Sequence, residues 1–153
     1  MKSILLLGAC LAAVPAIAAE APPSAWFDKS AEEVSALLAG VCADRNAMVI
    51  EQDNFHIVCS RTEDGFKGAL AQVIMGNRYS TTPETKVRFA ILKLPQGVRV
   101  IASQWVETQM AFGQVRRVEL NNRKNNATMH DLLASIGGME TPPAAQETPA
   151  PTP

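Results

Sequence analysis

KVRFAILKL (86–94), PQG (95–97) and VRVIASQWVE (98–107) are the residues on which the fold turns. Two runs rich in β-branched and apolar residues flank a proline-glycine turn, the pattern of a long antiparallel hairpin. Counted from a three-residue turn, Ala90, Leu92, Val100 and Ala102 share one face. Val87, Phe89, Ile91, Ile101 and Trp105 form the other set. The larger, aromatic set is expected beneath helices, which leaves the smaller set outside on a face too aliphatic for plain solvent contact.

Upstream, AMVIEQ (47–52) and FHIVCS (55–60) read as a shorter hairpin around Asp53-Asn54, because Asp and Asn tolerate the left-handed backbone of a tight turn. This pairs Gln52 with Phe55, Ile50 with Ile57 and Met48 with Cys59 on the helix-facing side. Val49, Glu51, His56, Val58 and Ser60 then face away. Before it, Ser30 and Glu33 form an S-x-x-E capping box, and Val34, Leu37, Leu38 and Val41 make one helical stripe. A second helix is expected over 63–75, from Phe66, Ala69, Leu70, Val73 and Ile74 at helical spacing. Downstream come a strand over 113–120 and a helix over 128–136, capped by Asn126 or Thr128 and stopped by Gly137-Gly138. The order αββαβββα specifies an α+β single domain, an antiparallel five-stranded sheet with helices packed on one face. It resembles the helix-grip modules of bacterial envelope lipoproteins and some secretion chaperones, in element order alone. No motif accompanies the likeness, and no residue role is transferred.

The ends of the chain differ from this middle. Residues 1–19, MKSILLLGACLAAVPAIAA, have the early lysine, apolar core and small residues of a secretory signal peptide, cleaved at Ala18 or Ala19. Leu7-Gly8-Ala9-Cys10 offers an alternative, lipidation at Cys10. Residues 20–29 read as a spacer, 30–138 as the globular domain and 139–153 as a disordered, proline-rich tail. About 134 residues after cleavage suffice for one core. A formal charge of −1, spread through the chain, gives no basic footprint for nucleic acid.

Without Cys10, two cysteines remain, Cys42 at the end of the first helix and Cys59 on the sheet face that this helix should cover. In an oxidising compartment such a pair is expected to be a disulfide. The only histidines are His56 and His130, and His56 has Glu51 as its cross-strand neighbour. No nucleophile elbow, phosphate loop or clustered metal ligands accompany them. The chain is therefore expected to be no enzyme and to need no cofactor or metal. The expectation is a periplasmic or secreted binding or assembly module. It would contact another envelope protein or a second copy of itself through Val49, Val58, Ala90, Leu92, Val100 and Ala102. It would meet a membrane only through a lipidated Cys10. The alternative is a small periplasmic carrier of an apolar ligand or lipid, which needs a cavity of a few hundred Å³.

Overall fold

The computed structural model describes residues 21–62 and 82–143. The signal segment 1–19 with Cys10, the helix expected over 63–75 and the tail from residue 144 lie outside the described residues. The elements are β1 (Ser24–Phe27), α1 (Ala31–Asp44), β2 (Met48–Gln52), β3 (His56–Thr62), β4 (Glu84–Leu94), β5 (Gly97–Gln109), β6 (Val115–Glu119) and α2 (Arg123–Ser135). They form an α+β domain on one antiparallel sheet, in the order β1-β5-β4-β3-β2, with β6 also on β5.

The β4–β5 hairpin is the spine of this sheet, paired from Glu84 opposite Glu107 to Leu94 opposite Gly97. Its turn holds only Pro95 and Gln96 between the paired residues, one fewer than the sequence suggested. At 13 residues β5 is the longest strand, and it serves two partners along its outer edge. β1 pairs with Val98 to Ile101, and β6 pairs with Trp105 to Gln109.

β1 is a sixth strand in place of the expected spacer over 20–29. Alternation supplies the reason: Ala25 and Phe27 point into the core, while Ser24 and Trp26 do not. The main chain of Trp26 also exchanges two 2.8 Å hydrogen bonds with Met139. The first residues of the expected tail are thus part of the fold.

α1 begins at the predicted capping box. Glu33 donates its amide to Ser30 Oγ, and its carboxylate accepts from the Ser30 amide at 2.9 Å, so helix-start amides find partners in both directions. α2 starts five residues earlier than expected, because Asn122, not Asn126 or Thr128, caps it by accepting from the Asn125 amide at 3.0 Å. Asn126 is instead buried and donates to Asn121 Oδ1. Both helices contribute to one core, in which Phe27, Val34, Leu38, Ile57, Phe89, Val100 and Leu133 are fully buried. Each such side chain contributes about 1.5–3 kcal/mol by leaving water.

The exit from α1 is tight. Asn46 takes a left-handed conformation (φ 53°), and the Ala47 amide donates to the Cys42 carbonyl at 2.8 Å. This turn brings the end of α1 over β3, where Cys42 and Cys59 are joined as a disulfide with their Cα atoms 6.1 Å apart.

Candidate functional site

The six residues expected on one outer face divide between both faces. Val58, Ala90 and Leu92 do face away from the helices. Val49, Val100 and Ala102 lie on the helix-covered side, and the last two are fully buried. Two register effects cause this. The two-residue turn of β4–β5 pairs Ile91 with Val100 and Ala90 with Ile101, so even-numbered residues of β4 share a face with odd-numbered residues of β5. In β2–β3 the turn residues are Asn54 and Phe55, since the Asp53 amide donates to the His56 carbonyl. The register also shifts between Val49 and Glu51. That bulge at Ile50 reverses the sides of Met48 and Val49 relative to Gln52.

The face away from the helices carries charged and aromatic groups among its aliphatic ones. The Arg117 guanidinium lies 3.9 Å from the centre of the Trp105 ring. Trp105 Nε1 donates to Glu107, whose other oxygen accepts from Lys86 at 2.7 Å. The Lys86 ammonium, foremost, holds the Glu107 carboxyl below its usual range. Further along, Arg99 lies over Trp26 and donates to Ser24 Oγ at 3.1 Å. Leu92, Leu94, Val115 and Met48 are among the large apolar side chains left exposed on this face.

A more apolar surface lies at the edge. β2 ends the sheet and pairs only with β3 among the described residues. Met48 is 72% exposed, Ile50 43% and Phe55, at the hairpin tip, 71%. Asp53 Oδ1 fixes this tip, accepting from the Phe55 and His56 amides at 2.7 and 2.8 Å. The Phe55 amide is the foremost cause that lowers the Asp53 pKa. His56 sits between two carboxylates, 3.0 Å from Asp53 through Nδ1 and 3.3 Å from Glu51 through Nε2. The side chains of Glu51 and His56 meet, but Glu51 lies opposite Val58 and not opposite His56 as expected, because the turn is displaced by one residue. His130 is exposed on α2.

Among the described residues, two clefts flank the start of α2. The first, about 290 Å³, opens where β1 ends and β6 has not begun, between Pro23, Ser103 and Asn121. The second, about 230 Å³, lies beside the disulfide, with Val87 and Phe89 on its floor and Arg45 and Arg61 among its lining residues. Gln104, Asn125 and Met129 border both. Gln104 is the first polar side chain on a β5 face that otherwise reads Val98, Val100, Ala102, and that break in the alternation was a signal available in the sequence. Met48 and Ile50 were missed for a different reason, since no residue pattern announced the bulge.

Among the described residues, no group of three His, Cys, Asp or Glu side chains is placed to hold a metal ion. No helix among them is long and apolar enough to cross a membrane. No protein-family model, curated protein or solved structure matches this chain.

Proposed function

We propose that this chain is a non-enzymatic protein-contact module of an oxidising cell-envelope compartment, and that it receives a partner polypeptide along the outer edge of β2. One observation carries the reading: β2 has no neighbouring strand on its outer edge among the described residues, while Met48 and Ile50 are exposed on it and Phe55 is exposed at the tip of its hairpin. Natural edges are commonly blunted by lysine, proline or a covering element. Here Glu51 is the only charged residue in the strand. The bulge twists the edge and discourages indiscriminate pairing. A partner strand that also offers cover for Met48, Ile50 and Phe55 gains affinity from main-chain hydrogen bonds and selectivity from those side chains. The Cys42–Cys59 disulfide supports the compartment, because such bonds persist where the medium is oxidising, as do the signal-like residues 1–19.

A photo-crosslinking amino acid at position 55, with one at Lys124 as control, tests the reading in cells that produce the protein. The expected result is an adduct of one defined mass from position 55 alone, lost when Met48→Asp and Ile50→Asp are introduced together. An adduct of twice the chain mass identifies a second copy as the partner. Equal labelling from both positions, or none from position 55, overturns the proposal.

A further inference from the structure

We infer that the cleft beside the Cys42–Cys59 disulfide binds a small anionic amphiphile, a carboxylate on a single aliphatic chain. This site is separate from the β2 edge and stands or falls without it. Val87 and Phe89 of β4 give it an apolar floor, and Met129 of α2 supplies an apolar wall. Its polar lining is cationic or neutral: Arg45, Arg61, Gln104 and Asn125 take part, and no carboxylate does among the described residues.

The two arginines do different work. Arg61 already has an interaction of its own and contributes field. Arg45 follows the last turn of α1, is exposed, and has no side-chain partner among the described residues. Its guanidinium presents a planar fork suited to a carboxylate. The helix ends framing the cleft oppose one another, since the end of α1 disfavours an anion and the start of α2 favours one. The arginines therefore set the sign of the site.

Volume limits the other end of the ligand. The space of about 230 Å³ holds roughly eight non-hydrogen atoms at the volume of a water molecule each. That suits one short chain lying on Val87, Phe89 and Met129 with its carboxylate outward toward Arg45. It is too small for a two-chain lipid.

The test titrates octanoate, octanol and octylammonium into the full chain, read by calorimetry and by amide chemical shifts. Octanoate should bind and shift amides around Arg45, Val87 and Met129. Octanol should bind at least about tenfold more weakly, the factor worth 1.4 kcal/mol, and octylammonium not at all. Arg45→Gln should lose at least about tenfold toward octanoate and leave octanol unchanged. Thr128→Trp, on the exposed rim, should abolish binding of both while the melting temperature stays that of the parent. Four results would each overturn the proposal: no octanoate binding at millimolar concentration, equal binding of octanol, parental affinity in Arg45→Gln, or shifts centred instead on Ser103 and Asn121 of the other cleft.

Discussion

Asp53 shows how one carboxylate fixes the tip that the proposed interface uses. Its folded pKa lies below the usual aspartate value, chiefly through the Phe55 amide. The hydrogen bonds of the ionised form therefore stabilise the fold above the unfolded pKa, and that stabilisation is lost as the pH falls through the folded one. Asp53→Ala should melt below the parent at pH 7, with the gap closing as the medium is acidified beyond the aspartate range. A gap undiminished at pH 2 would show that the charge is not its origin. Phe112 presents the opposite case, a fully exposed bulky residue in left-handed conformation (φ 66°). Phe112→Asn should stabilise the chain by about 1 kcal/mol, since asparagine tolerates that backbone and no packing is lost. Urea unfolding reads the difference. Gly138 is held by space: a Cβ there would stand 2.7 Å from both Ala25 Cβ and the Leu133 carbonyl oxygen. Gly138→Ala should cost about 1–3 kcal/mol in the same assay. Ser30 and Glu33 were legible from sequence because a capping box is a local device. The need for glycine at 138 was not, because Ala25 is more than a hundred residues away along the chain.

Between elements, the same distinction governs what the sequence revealed. The β4–β5 hairpin was readable from alternation and its proline-glycine turn, yet its faces depended on whether two or three residues close the turn. One residue of slip exchanges the sides of a strand, and this slip moved Val100 and Ala102 from the core to the imagined surface. The α1–β3 link was less sensitive. Cys59 stays on the helix-covered side despite the bulge, because the register shift falls in β2, between Val49 and Glu51. The resulting disulfide closes a sequence separation of 17. Replacing both cysteines by alanine should therefore cost about 3 kcal/mol by the chain-entropy account. Alkylation of the natively purified protein should label neither thiol before reduction and both afterwards. Immediate labelling of both would remove the disulfide and, with it, the case for an oxidising compartment.

For the whole molecule, the decisive feature is that both ends of the described chain close the same sheet edge. A domain boundary drawn at Ser30 separates a polar, proline-containing approach from the first capped helix, and composition alone recommends it. The fold requires more. Phe27 is fully buried, β1 covers the edge of β5 from Val98 to Ile101, and Trp26 ties Met139 back to the sheet. Pro143 also lies near Gly97, whose added Cβ would stand 3.0 Å from the proline ring. Removing β1 discards the burial of a phenylalanine, worth about 3–5 kcal/mol on truncation to alanine, and leaves a strand edge unpaired. Against a net stability of about 5–15 kcal/mol for an ordinary domain, that loss is enough to unfold this one. A chain beginning at Ala21 should melt cooperatively with dispersed amide resonances, whereas one beginning at Ser30 should aggregate or lose that dispersion. Equal melting of the two would mean that α1, α2 and five strands hold the core without β1, and the strand would then be an attachment to the domain.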